Sequence, residues 1–192
     1  LVSCYRYEKP QAGRYREFHQ FGVEYFGTQS PSADAEMISL PLELYKELGL
    51  KDLTLNINSI GCPKCRKEYN EKLKAYLKPH YDELCDTCKN RYDRNPMRIL
   101  DCKSSVCKGI VKDAPMLIDC ICDECRAHFE SVKENLTAMD ISYEIDPLIV
   151  RGLDYYTKTV FEITAKNEKS NGTICGGGRY DGLVEQLGGN PT

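Results

Sequence analysis

Arg6, Glu8, Arg14, Arg16, Phe18, Gln20 and Glu24 crowd the start of the chain. These side chains suit a phosphorylated base together with a small zwitterion. Guanidinium forks pair with phosphate or carboxylate, a phenyl face stacks on a base, and Gln and Glu orient small polar groups. Gly22 leaves room beside them. Far along the chain stand Arg151, Tyr155 and Tyr156, and then Gly176-Gly177-Gly178-Arg179-Tyr180. Between the two groups lies a third chemistry: of the 11 cysteines, Cys62, Cys65, Cys85, Cys88, Cys102, Cys107, Cys120, Cys122 and Cys125 fall within one stretch.

Two strands must position the first group. Read as extended chain, residues 1–8 put Cys4, Arg6 and Glu8 on one face and Tyr5 and Tyr7 on the other, because successive strand side chains alternate. Residues 15–26 repeat the pattern. Arg16, Phe18, Gln20, Gly22 and Glu24 share a face, and the opposite face, with His19, Phe21, Val23 and Tyr25, is apolar enough for a core, so His19 is expected to be structural. Residues 9–14, with Pro10 and Gly13, form the loop of an antiparallel hairpin. The rival reading is an amphipathic hairpin with a solvated polar face.

The remaining elements predict an α+β fold, an antiparallel sheet flanked by helices and interrupted by a mainly helical, cysteine-rich insert. Ser30 and Pro31 start a helix whose apolar stripe of Met37, Ile38, Leu44, Tyr45 and Leu48 runs to Gly49, with Pro41 an irregularity. Residues 52–59 alternate, placing Leu53, Leu55 and Ile57 on one side of a strand. Residues 61–139 read as helical and polar, with Phe129, Val132, Leu136 and Met139 at helix spacing. Strands return at 142–145, 158–165 and 173–175, with 166–172 as a turn and 181–187 as a short helix. Three units follow: 1–60, 61–139 and 140–192.

The cysteine spacings match tetrahedral zinc, since a CxxC turn aims two sulfurs at one ion and a second turn completes the shell. The expected first site is Cys62, Cys65, Cys85 and Cys88, and the second Cys102, Cys107, Cys122 and Cys125, with crossed pairings open. Zn2+ would supply folding free energy to an insert with little apolar material. Disulfides are one rival; a redox role for Cys62-Pro63-Lys64-Cys65 is the other.

Composition is that of an ordinary soluble domain, 41% hydrophobic and 29% charged over 192 residues. No run is long enough to span a membrane. The net charge of −3 means that any nucleic-acid contact must use a local patch, for which Lys89, Arg91, Arg94 and Arg98 are the best candidates beside the rival of a solvated surface.

Arg6-Tyr7-Glu8, a loop, then Arg14-Tyr15-Arg16-Glu17-Phe18-His19-Gln20-Phe21-Gly22-Val23-Glu24 resembles motif 2 of class II aminoacyl-tRNA synthetases. Leu148-Ile149-Val150-Arg151-Gly152-Leu153-Asp154-Tyr155-Tyr156-Thr157 and Gly176-Gly177-Gly178-Arg179-Tyr180-Asp181-Gly182-Leu183 resemble the two histidine-specific signatures of the histidyl-tRNA synthetase family. The resemblance implies a cytoplasmic ligase that joins L-histidine to tRNA(His) using ATP with Mg2+, and a homodimer when complete. It implies Arg6 and Arg151 as catalytic cations on the α-phosphate, both binding ATP, Glu8 and Phe18 on adenine, Gln20 on the amino acid's backbone groups, and Glu24 and Tyr156 on the imidazole nitrogens. Tyr155 and Tyr180 complete the histidine pocket. It implies further that the insert lies over the acceptor arm of the RNA and that zinc stands outside the reaction. With no initiator Met and without the family's motifs 1 and 3 and anticodon-binding domain, the sequence reads as an internal fragment of the catalytic domain, inactive by itself. A non-catalytic histidine-binding regulatory paralogue and a zinc-binding interaction module are the alternatives.

Overall fold

The computed structural model describes residues 2–7, 9–10, 15–149, 155–167 and 170–190. Glu8, Arg14 and Arg151 lie outside the described residues. Strands β1 (Val2–Tyr5) and β2 (Glu17–Gln20) form a hairpin, and helix α1 (Pro31–Glu47) leads into strand β3 (Leu53–Ser59). Helices α2 (Pro63–Leu77), α3 (Asp86–Arg94), α4 (Ser105–Val111) and α5 (Asp123–Ala138) follow. Strands β4 (Glu144–Ile145), β5 (Thr157–Asn167) and β6 (Ser170–Arg179) and helix α6 (Leu183–Gln186) come last. A four-stranded sheet in the order β4-β3-β5-β6 is the platform; β3, β5 and β6 pair antiparallel and β4 lies parallel to β3.

Helix α1 starts and stops where its local chemistry dictates. The Ser30 hydroxyl accepts from the Ser32 amide at 3.3 Å and Pro31 fills the first turn, where a missing N–H costs nothing. Gly49, at φ 76°, takes the left-handed conformation that closes a helix. Its Ala33, Ala35 and Ile38 are buried. Leu55 and Ile57 of β3 sit opposite Ile163 and Phe161 of β5, and this face of the sheet packs with Ile38 and with Phe129, Val132 and Leu136 of α5. Helix α5, predicted within the insert, thus has its apolar stripe on the sheet. Burial of such side chains contributes roughly 1.5–3 kcal/mol each.

The insert proper has more apolar material than its composition suggested. Tyr69, Leu73, Leu77, Leu84, Met97, Ile99, Leu100, Val111, Leu117 and Ile121 are buried together with five thiols. Tyrosine hydroxyls tie its helices to main chain: Tyr69 donates to the Pro115 carbonyl at 2.7 Å and Tyr76 to that of Ile110 at 2.9 Å.

Three other expectations are corrected. Strand β2 stops at Gln20, and Phe21, Val23 and Tyr25 are 65%, 39% and 50% exposed, so they line no core. Among the described residues no other strand covers them. His19 is exposed too, 3.3 Å from the Ser3 hydroxyl. Residues 166–167 and 170–172 belong to β5 and β6 and not to a turn. The three-glycine string is a strand that needs bare backbone, because a Cβ at Gly177 would lie 2.6 Å from the Phe161 ring.

Candidate active site and cysteine clusters

On the hairpin, Cys4 faces Phe18, Val2 faces Gln20 and Tyr5 faces Glu17. Direct partners share a face of the ribbon, so Cys4, Phe18 and Gln20 stand together as expected. Arg6 joins them, its guanidinium 4.3 Å from the centre of the Phe18 ring and its Nε donating to the Tyr15 carbonyl at 2.7 Å. The stack and the hydrogen bond fix the direction of the fork. The opposite face pairs Tyr5 with Glu17 at 3.1 Å.

A cavity of about 260 Å3 opens between the chain after the hairpin, α1 and the β5–β6 edge. Glu24, Tyr156 and Tyr180 line it together with Gly22, Phe26 and Gly176 to Gly178. The Tyr180 hydroxyl donates to the Glu24 carboxylate, across 156 positions of sequence. Burial and then that carboxylate push the Tyr180 hydroxyl far above its ordinary range, so it stays a neutral donor. Tyr155 packs edge-on against Tyr156 and Tyr180, at 5.1 and 6.0 Å between ring centres, which fixes the aromatic wall. The residues predicted to hold an amino acid divide here: Glu24, Tyr156 and Tyr180 line the cavity, Tyr155 backs it, and Gln20 lies on the hairpin with Arg6 and Phe18.

Behind the cavity runs a buried polar network that the sequence reading missed. Arg179 donates to Asp34 through Nη1 at 2.8 Å, to Asp181 through Nε at 2.5 Å and to the Thr28 carbonyl through Nη2 at 2.9 Å. His128 from α5 meets the other Asp34 oxygen at 2.8 Å, and the Thr157 hydroxyl donates to Asp181 at 3.0 Å. The Asp34 and Arg179 side chains are each only 8% exposed. Burial alone would raise the Asp34 carboxyl, but hydrogen bonding to His128 and the Arg179 charge hold it below its ordinary value. The network ties α5 to α1, the loop at Thr28 and the end of β6, the three pieces that wall the cavity.

The cysteines gather into two sets of four, and the expected partition is corrected. Cys62, Cys65, Cys122 and Cys125 form one set, and Cys85, Cys88, Cys102 and Cys107 the other, with the sulfurs of each within 4.8 Å of one another. Each pair expected to open a site does stay together, but the first pair closes with the last. The physical reason is the sheet: β3 ends beside the start of β5, and the start of α5 returns to the same corner, so Cys62 meets Cys122 while the middle of the insert closes on itself. No two of the described cysteines are joined in a disulfide, and Cys120 lies outside both sets, 3.8 Å from Lys72 Nζ. Burial opposes ionisation of Cys62, but the Cys65 amide and thiol bring it down to about 7. The Cys88 amide is the main cause that brings Cys85 to about 7. Burial raises Cys88 and Cys125.

Compared with known proteins, residues 1–191 match the family described as tRNA synthetase class II core domain (G, H, P, S and T). The chain belongs to this class II core family. Its relatives include the histidine–tRNA ligase of Caldanaerobacter subterraneus subsp. tengcongensis, 62% identical over 98% of this chain and 45% of the relative. That of Acetivibrio thermocellus is 58% identical over 100% of this chain and 46% of the relative. The apo histidyl-tRNA synthetase of S. aureus superposes with a TM-score of 0.75 at 42% identity, over 98% of this chain and 44% of that one. The chain therefore spans about half the length of the relatives it matches. A structure titled as an ATP phosphoribosyltransferase regulatory subunit/histidyl-tRNA synthetase from Bacillus halodurans, at 22% identity and a TM-score of 0.53, shares the fold.

Arg6, Phe18 and Gln20 on the hairpin do not line the cavity, whose lining begins at Phe21. The missed signal for the polar network was His128, which falls on the apolar stripe of α5 beside Phe129 and Val132 and is buried. No helix among the described residues is long and apolar enough to cross a membrane.

Proposed function

We propose that this chain is the part of a histidine–tRNA ligase that activates L-histidine with ATP and passes the histidyl group to tRNA(His). The observation that carries the reading is the meeting of Glu24, Tyr156 and Tyr180 at one cavity. A carboxylate and phenols suit an imidazole, which offers a donor and an acceptor nitrogen at its two ends. A volume of about 260 Å3 is below the usual range of roughly 300–1,000 Å3 for ligand clefts and suits an amino acid better than a nucleotide. The identity to histidine–tRNA ligases supports the same choice, and the regulatory-subunit likeness carries only the fold.

In this reading the histidine carboxylate attacks the α-phosphate of ATP and pyrophosphate leaves. A terminal ribose hydroxyl of the RNA then takes the histidyl group and AMP leaves. Negative charge on the α-phosphoryl oxygens is met by Arg6, whose fork is already oriented by Phe18 and the Tyr15 carbonyl, and by Arg151 from the other side; fixed cations lower such barriers without reorganisation. Mg2+ enters with the ATP phosphates as part of the substrate. Phe18 offers adenine the ring surface that Arg6 leaves, Glu8 accepts from its amino group, and Gln20 holds the backbone groups of histidine. Tyr180 orients Glu24, and Tyr155 keeps Tyr156 in place. Lys89, Arg91, Arg94 and Arg98 of the insert are the RNA-facing candidates, in a complete enzyme that is a cytoplasmic homodimer. Zn2+ fits the cysteine sets in a structural role.

The test is histidine-dependent exchange of pyrophosphate into ATP by the complete ligase. Arg151→Ala is expected to lower exchange by roughly 100- to 1,000-fold with histidine binding kept, and Glu24→Gln to raise the KM for histidine far more than that for ATP. Near-normal exchange in Arg151→Ala, or exchange indifferent to histidine, removes the proposal.

A further inference from the structure

We infer that the chain carries two separate tetrathiolate zinc sites with different jobs: Cys62, Cys65, Cys122 and Cys125 form a seam site that positions the amino-acid cavity, and Cys85, Cys88, Cys102 and Cys107 form a distal site that only fastens the insert. The inference deepens the zinc reading above; the count of two metals stands apart from the ligase chemistry, whereas the division of labour rests on the histidine reading of the cavity. Zinc binds thiolate at about 2.3 Å in a tetrahedron, whose sulfurs then stand about 3.8 Å apart. In the seam set Cys62 and Cys65 are 3.5 Å apart, and Cys65 and Cys125 4.0 Å. In the distal set Cys85 and Cys102 are 3.8 Å apart. Backbone amides already point at the sulfurs: Cys122 N–H at Cys65 Sγ, 3.2 Å, and Cys85 N–H at Cys107 Sγ, 3.4 Å. Such donors orient and stabilise metal-bound thiolates. Binding exchanges four thiol protons for one Zn2+ at each site.

The seam is built for close approach. Gly61, at φ 61°, leads into Cys62, and a Cβ on it would lie 2.6 Å from Cys65 and 3.3 Å from Ile121. Lys158, itself in left-handed backbone at φ 51°, exchanges main-chain hydrogen bonds with Ile60 and Gly61 and reaches Glu124 with its ammonium at 3.1 Å. A strained residue persists where its surroundings over-determine it. The exit of β3, the entry of β5 and the first turn of α5 therefore meet at this set. One turn after Cys125 comes His128, which holds Asp34, which holds Arg179 beside Tyr180. Four thiolates on one ion thus fix the start of α5 and, through His128, the back wall of the cavity. Among the described residues no comparable chain of hydrogen bonds runs from the distal set to the cavity; its cysteines lie in and beside the short helices of the insert, within the apolar core that they share with the seam set.

The experiment uses the complete ligase purified without added metal. Elemental analysis should find two zinc ions per chain, and replacement by Co2+ should give the intense sulfur-to-cobalt absorption of tetrathiolate sites at two equivalents. Fewer than two ions, or absorption saturating at one, overturns the inference. Cys125→Ser should keep one zinc and raise the KM for histidine several-fold with the KM for ATP unchanged, whereas Cys102→Ser should keep one zinc and the parent KM values. Equal effects of the two, or an unchanged histidine KM in Cys125→Ser, overturns the division of labour. Should Cys125→Ser fail to fold, Cys62→His decides: two bound metals with a shifted cobalt spectrum support the seam site, and a spectrum like the parent's overturns it. Normal histidine-dependent exchange in a metal-free parent would sink the zinc inference and leave the ligase reading standing.

Discussion

On the insert side of the molecule the buried set includes Cys65, Cys88, Cys102, Cys107 and Cys125 among aliphatic and aromatic neighbours, while on the helix-covered face of the sheet Ile38, Leu55, Ile57, Val132, Leu136 and Ile163 pack around no buried thiol. The sheet side instead carries the buried ionic network of Asp34, His128, Arg179 and Asp181. Two ways of unifying distant chain segments are therefore at work. Thiols gather the ends of helices and turns inside an apolar core that those elements share. A branched network of charge-assisted hydrogen bonds locks α1, α5 and β6, which already bury apolar faces against one another. The difference predicts that the sheet side is sensitive to lost partners and to added volume, and the insert side to lost ligands.

The largest effect expected on the sheet side comes from Arg179. Its guanidinium satisfies two carboxylates and a carbonyl while almost wholly buried, so Arg179→Ala strips Asp181 and one oxygen of Asp34 of their guanidinium partner and leaves His128 on the other Asp34 oxygen. Breaking one partner out of a buried ion pair costs about 3–5 kcal/mol, readable as a lower denaturant midpoint with an unchanged slope. Arg179→Lys should recover only part, because an ammonium cannot reproduce the fork. A loss under about 1 kcal/mol in Arg179→Ala, in the typical range of exposed ion pairs, would place the network on the surface energetically and erase the contrast.

A gentler contrast uses one methyl group on each side. Gly177→Ala drives a Cβ to within 2.6 Å of the buried Phe161 ring, and overpacking of this kind costs about 1–3 kcal/mol. Gly109 lies within helix α4 of the insert with nothing within 4 Å of where its Cβ would go. Gly109→Ala should therefore stabilise by about 0.4–1 kcal/mol through the unfolded chain. Midpoints that move in the same direction for both variants would contradict the packing described here.

Much of this was legible before any coordinates. The α1 boundaries follow from Ser30, Pro31 and Gly49, each a local stop or start signal, and β3 from the alternation of Leu53, Leu55 and Ile57. The convergence of Glu24, Tyr156 and Tyr180 was readable only because their motifs carry a resemblance; spacing alone says nothing about residues 156 positions apart. The cysteine partition was not legible for the same reason. A CxxC turn announces that two sulfurs share an ion, but which second pair completes the shell depends on where β3 ends and α5 begins, and that is set by pairing of β3 with β5 across the whole insert. Asp34 and Arg179 were missed because charged residues on a helix and beside a glycine run read as solvated. The hairpin's apolar face failed as a core because alternation reports what could be buried and not what is present to bury it.

The smallest effect separates the two sides by acid. Asp34 has its folded value held below the ordinary 3.8, so the unfolded chain binds more protons than the folded one in the window beneath 3.8. Stability from this carboxylate is accordingly complete above that pH and declines as pH falls through the lowered folded value. A single proton accounts for a slope of at most about 1.4 kcal/mol per pH unit. Asp34→Asn should start less stable at neutral pH and then lose less on acidification, so that its curve of unfolding free energy against pH is shallower than the parent's below pH 3.8. Gly109→Ala, which touches only the insert, should run parallel to the parent throughout. A shallower curve for the insert variant, or parallel curves for Asp34→Asn and the parent, would show that acid acts through other carboxylates and that the buried network does not couple the sheet side to protons.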